Sequence, residues 1–188
     1  AGISQSMFRS ALLPFVPTIA LLSTLLMGSC DVVVGYRDVD PEIDLSVMGT
    51  SIEVTGTPAL DIGFYHEQLY EPLHDGDNSP IVSGLQGGTW IMPALRIDGI
   101  YPFAETRCTL TVETGEVVGK ITATTRYFLA TDDVFEVQAF PVPVIHASPR
   151  AAEPIDDLYG LGATLSCEVF DGEGRTATAI REIILVDG

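Results

Sequence analysis

Between residues 45 and 186, short runs rich in β-branched and aromatic residues alternate with Gly, Pro, Asn and Asp, and no segment sustains a helical period. The runs fall at 45–48, 51–55, 59–65, 80–82, 89–97, 107–113, 120–129, 134–139, 161–170 and 176–186. A chain punctuated this often cannot build long helices. It must bury one side of each short strand against a second layer, so the pattern predicts an all-β fold, a sandwich or a barrel, with an antiparallel β-sandwich as the expectation. The last unit is the clearest: residues 163–171 alternate, Gly172-Glu173-Gly174-Arg175 supplies a turn, and residues 176–186 return as the partner strand of a hairpin.

The other strong signal lies at the start of the chain. Arg9 precedes an apolar segment at 11–27, which ends on the small residues Gly28 and Ser29 and then on Cys30. A positive end, an apolar middle and small residues at the cut describe a secretory signal. Met7 reads as the natural start, leaving residues 1–6 as an upstream stretch outside the fold. An uncleaved anchor helix is the competing reading, but the segment is short for a bilayer span, and Pro14 and Pro17 would each break a helical hydrogen bond. Simple secretion with cleavage near Ser29 is a third reading.

Met27-Gly28-Ser29-Cys30 resembles the lipobox of bacterial lipoproteins, with Met where Leu is usual. The resemblance implies removal of the signal, lipid on the sulfur of Cys30, and a protein held in the bacterial cell envelope, facing the periplasm or the cell surface. Acyl chains anchor because each buried methylene contributes about 0.8 kcal/mol, and stable attachment takes more than one chain. The expected organisation is a signal helix at 1–29, lipidated Cys30 with a flexible acidic tether at 30–43, and one β-domain at 44–188.

Net charge is −17 and Lys120 is the only lysine. No basic patch is available to neutralise phosphates, which argues against nucleic acid as a partner and against adsorption to anionic lipid. Membrane attachment would therefore come through Cys30. Of the three cysteines, Cys108 and Cys167 remain, in a chain routed out of the reducing cytosol. Cys108, Leu110 and Val112 share one strand face, and Leu165, Cys167 and Val169 another, so both thiols point into the core. A disulfide between them is the expectation, and two buried free thiols the alternative.

Two further resemblances bear on the fold. The terminal hairpin, a strand ending in Asp171, a Gly-containing turn and a Thr/Ala-rich strand, is similar to the last two strands of bacterial immunoglobulin-like domains. The chain carries Leu165 where the tyrosine corner would place Tyr, and Trp90 precedes both cysteines. The stretch from Glu71-Pro72-Leu73-His74-Asp75-Gly76-Asp77 through Gln86-Gly87-Gly88 to Leu95-Arg96 is similar to a pattern in uncharacterised predicted lipoproteins of myxobacteria and related bacteria. That likeness implies a fold and no activity. Within the stretch, Gly87 and Gly88 permit positive φ, Ile91, Leu95 and Ile97 share a face fit for burial, and Pro93 marks a sheet edge or bulge. Arg96 faces the other way, where an acidic neighbour would suit it.

Chemistry is sparse. His66-Glu67-Gln68-Leu69-Tyr70 starts like the zinc-protease motif His-Glu-x-x-His but ends in Tyr70, and His66, His74 and His146 read as exposed loop residues without metal-ligand spacing. The acidic pairs Asp132-Asp133 and Asp156-Asp157 carry little weight in a chain with 26 acids. Asp75, Asp77 and Asn78 form the best oxygen-ligand cluster for Ca²⁺, with a plain Asp-Gly turn as the competing reading. Trp90, Tyr65, Tyr70 and Tyr101 are candidates for a sugar-binding platform, with core packing as the alternative. Two functions follow: a non-catalytic, lipid-anchored envelope module that binds an envelope protein or glycan or has a structural role, or an envelope hydrolase or carbohydrate-binding accessory that uses acidic residues.

Overall fold

A computed structural model describes residues 53–84, 87–131, 134–147, 150–151 and 153–188. The signal, Cys30, the tether, the runs at 45–48 and 51–52, Gln86 and the pair Asp132-Asp133 lie outside them. The described residues form an all-β protein whose only helical element is a 3-10 turn at Ile155–Leu158. Two sheets, antiparallel but for one pair, make up the fold. The first runs in the order β2 (Leu69–Pro72), β1 (Ala59–His66), β5 (Ala94–Asp98), β9 (Val134–Val137) and β8 (Phe128–Thr131). The second runs β10 (Val142–Pro143), β4 (Thr89–Ile91), β3 (Asp77–Ser83), β12 (Thr176–Asp187), β11 (Gly162–Asp171), β6 (Phe103–Val112) and β7 (Val117–Arg126), with β3 and β12 parallel.

Alternation dictates which side of each strand is buried. On β6 the side chains of Ala104, Thr106, Cys108, Leu110 and Val112 turn inward, and on β11 those of Ala163, Leu165, Cys167 and Val169. Ile62, Leu95, Ile97 and Val137 of the first sheet join them in one apolar core. Cys108 and Cys167 sit directly opposite in the β6–β11 register, their Cα atoms 4.2 Å apart, and are disulfide-bonded. That separation belongs to the close, non-hydrogen-bonded kind of antiparallel pair. The bond therefore joins neighbouring strands of one sheet.

Two runs that read as single strands are each divided between the sheets. Residues 89–97 break at Met92-Pro93, with β4 in the second sheet and β5 in the first. Proline cannot donate to a ladder, so the strand leaves one partner and takes up another where the N–H is missing. Ile91, Leu95 and Ile97 are all buried across this corner. Residues 120–129 divide at Tyr127, which is buried, donates its N–H to Pro102 O, and hydrogen-bonds Thr106 through its hydroxyl. The short β2 and β10 and the 3-10 turn had no sequence signal strong enough to predict them.

The second sheet curls until its two edges meet. Ile145 N–H, just past β10, donates to Val118 O of β7 at 2.7 Å, leaving the sheet close to a barrel. Gly119 permits the approach: a Cβ there would lie 2.5 Å from Pro143 O. Because the obstructing atom is backbone, Gly119→Ala is expected to cost about 2 kcal/mol through overpacking. Thermal unfolding checks this, and a loss below about 0.5 kcal/mol, the range of neutral surface changes, would mean that the seam is free to move.

Candidate functional site

The most connected polar cluster crosses the first sheet. Asp61, Arg96 and Glu136 stand opposite one another on β1, β5 and β9. Arg96 Nε donates to Glu136 at 2.9 Å, the Tyr65 hydroxyl donates to the same carboxylate, and Arg181 of β12 reaches Asp61 at 2.7 Å. Tyr70 donates to Asp61 at 2.8 Å while its ring lies 3.8 Å from the Arg96 guanidinium and edge-on to Tyr65, with ring centroids 6.1 Å apart. Gly63 lets Tyr70 lie there, since a Cβ would come within 2.6 Å of the tyrosine ring. Burial, and then the hydrogen bonds to Glu136 and Asp61, raise the pKa values of Tyr65 and Tyr70 respectively, so both phenols stay protonated donors. Burial works against the charge on Arg96, but its bonds to Tyr65 and Glu136 outweigh that and raise its pKa. The acidic neighbour expected for Arg96 is Glu136. Every charge in the row is matched inside it, which makes the row a rivet between strands.

A second cluster overturns a sequence expectation. His146 is 1% exposed, not a surface loop residue. Its Nε2 lies 2.7 Å from Asp157 and 3.2 Å from Pro154 O, and its Nδ1 lies 3.3 Å from Glu116. Arg150 ties Glu116, Glu153 and Asp157 together around it. Sequence spacing missed this because Glu116, His146 and Asp157 come from three separate segments. Burial disfavours the charge on His146, yet the bonds to Asp157 and Glu116 prevail and lift its pKa above the ordinary 6.5. Only the doubly protonated ring can donate to both carboxylates. A raised folded-state pKa means that this stabilisation is complete below about pH 6.5 and is lost as pH rises through the folded value. His146→Gln is expected to flatten the fall in melting temperature between about pH 6.5 and 8.5. An unchanged slope would assign the pH dependence elsewhere.

The other sequence candidates fall as follows. Asp75 accepts from Glu182 N–H of β12 at 2.9 Å and Asp77 from His74 N–H at 2.8 Å, so both carboxylates serve backbone N–H groups beside exposed Asn78. Among the described residues, no group of three or more His, Cys, Asp or Glu is disposed to hold a metal ion. His66 and His74 are exposed. Trp90 lies on β4 in the second sheet with its ring against Gly84 and Gly88, where a Cβ would come within 2.6 and 2.7 Å of it, and φ is positive at Gly87 and Gly88. Tyr65 and Tyr70 meet in the first sheet, away from the strand that carries Trp90.

Tyr101 belongs to a different constellation. A cleft of about 480 Å³ opens at one end of the outer face of β6, β7 and β11, lined by Tyr101, Phe103, Glu105, Thr124, Phe170 and Glu173 among others. Buried Asp171 builds its wall, accepting from the N–H groups of Tyr101, Glu173 and Arg175 and from the Arg175 guanidinium. Burial would raise the Asp171 pKa, but these four donors hold it below the usual carboxylate value. Phe103 is 48% exposed, and Phe170 lies 4.1 Å beneath the Arg107 guanidinium. Farther along the same outer face, past Arg107 and Glu168, hydroxyls stand in register, with Thr109 opposite Ser166 and Thr111 opposite Thr164.

Comparison of the chain with protein-family models, with curated proteins and with solved structures returned no match.

Proposed function

We propose that this chain is a lipid-anchored protein of the bacterial cell envelope whose β-domain, an immunoglobulin-like sandwich, holds a partner without turning it over. The observation that carries the reading is the buried Cys108–Cys167 disulfide. Such bonds persist in oxidising compartments, which agrees with the leader and with Cys30 as the lipidated residue. The same leader is shared with the uncharacterised predicted lipoproteins of myxobacteria that the 71–96 stretch resembles. The terminal hairpin, formed by β11 and β12 around the Asp171 turn, supports the immunoglobulin-like description. Two charged clusters spend their carboxylates on arginine, tyrosine, histidine and backbone N–H groups, which supports a scaffolding role for them.

The test is the mass of the mature protein recovered from membranes of a bacterial host expressing the chain from Met7. The expected species begins at Cys30 and carries acyl chains. Recovery of an unmodified precursor terminus would overturn the anchor. Cys30→Ser is expected to release the protein from the membrane fraction.

A further inference from the structure

We infer that the cleft beside Asp171 is a binding site for a neutral glycan chain, a reading that rests on the domain being a binding module and names its ligand class. A sugar ring presents flat C–H faces and a rim of hydroxyls, and a site for it needs aromatic surface beside polar groups of both hydrogen-bonding senses. The cleft supplies both. Phe103 provides the exposed aromatic surface, with Phe170, covered on one face by the Arg107 guanidinium, and with Tyr101 and Thr124 beside it. Glu105 and Glu173 supply acceptors at the rim, each bonded to an arginine: Glu105 to Arg107 at 2.7 Å and Glu173 to Arg175 at 3.0 Å.

Charge and topology choose among ligands. The three carboxylates lining the cleft, Glu105, Glu173 and Asp171, are bonded to two guanidinium groups, Arg107 and the shared Arg175, which leaves the lining one negative charge in excess within a chain of net charge −17. Each of these carboxylates is already bonded to a guanidinium, and no metal-holding group of acids forms among the described residues, while the net charge of the whole chain repels polyanions. An extended peptide would need a free strand edge, but β6 and β11, which carry Phe103, Glu105 and Phe170, each lie between two strands, and only Thr124 of the lining stands on the terminal strand β7. A purely apolar ligand would desolvate the rim carboxylates without pairing them. An uncharged polyhydroxylated chain meets all of these conditions, and the hydroxyl rows of Thr109, Thr111, Thr164 and Ser166 continue the polar surface along the same sheet face.

The experiment uses the full chain in detergent. Native gels containing cellulose ethers, β-1,3-glucan, amylose or polygalacturonate are run first, and titration calorimetry with the hexasaccharide of whichever neutral polymer retards the protein follows. Retardation by at least one neutral polymer, and none by polygalacturonate, is expected. Phe103→Ala should weaken hexasaccharide binding at least tenfold with an unchanged melting temperature, because Phe103 is half exposed. Phe103→Trp should bind at least as well as the parent, and Tyr65→Phe, in the other sheet, should stay within twofold. Failure of every neutral polymer to bind, binding that Phe103→Ala leaves within twofold, or equal retardation by polygalacturonate would each overturn the assignment. A chain that carries lipid on Cys30 yet ignores every glycan would remove the cleft and leave the anchored module standing.

Discussion

Replacing Cys108 and Cys167 together by alanine is expected to lower the unfolding free energy by about 4 kcal/mol, the loop-closure entropy returned to the unfolded chain when a cross-link of this length is removed. The cysteines are 59 residues apart in sequence but directly opposite on adjacent strands. The bond therefore adds little to where β6 and β11 lie once folded. Its effect falls on the unfolded ensemble, which without it must search for a long-range pairing between strands that are central to the second sheet. Set against a typical total of about 5–15 kcal/mol, the loss would leave a domain close to unfolding at growth temperature. Denaturant titration of the oxidised parent and the double variant measures it. A difference below about 1 kcal/mol would show that the unfolded chain is already held compact in this region.

The second large effect is expected at Glu136. It is buried, its side chain 8% exposed, and it accepts from both Arg96 and Tyr65. Glu136→Ala leaves the Arg96 guanidinium and the Tyr65 phenol without the acceptor they share, and should cost about 3 kcal/mol, near the lower end for breaking a buried pair because Arg96 is 31% exposed. Replacing the three together, Glu136→Leu with Arg96→Met and Tyr65→Phe, removes every group that would be left unpaired. That triple variant should recover to within about 1 kcal/mol of the parent. Urea denaturation of the single and triple variants decides the matter: equal losses in both would mean that the row contributes through packing, with the charges incidental.

The hairpin of β11 and β12 was legible because both halves of its evidence are local: period-two alternation, and a turn that Asp171 closes by accepting the N–H groups of Glu173 and Arg175 and the Arg175 guanidinium. The inward faces of Cys108, Leu110, Leu165 and Cys167 were legible for the same reason. The sheet switches at Pro93 and Tyr127 were not. A strand that changes partners keeps its alternation, so 89–97 and 120–129 look continuous in sequence although each contributes to two sheets. His146 was misplaced on the surface because its burial depends on Glu116 and Asp157, which lie 30 and 11 residues away and carry no shared motif. The cleft was half visible. Tyr101 stood among the aromatic candidates, but Phe103 lay outside every predicted strand and Phe170 looked like an ordinary strand residue until the β6–β11 register placed them at one end of a sheet face.

The sequence alone determined the all-β class, the terminal hairpin and the faces that bury the two cysteines, since each follows from the two-residue period of a strand and from the backbone demands of Gly, Pro and Asp. The tertiary structure decided which strands became neighbours, the curl that brings β10 to β7 across Gly119, the ion-paired row under Tyr70 and the enclosure of His146. These depend on contacts between residues far apart in the chain, whose energies are felt only after loop closure has brought the strands together.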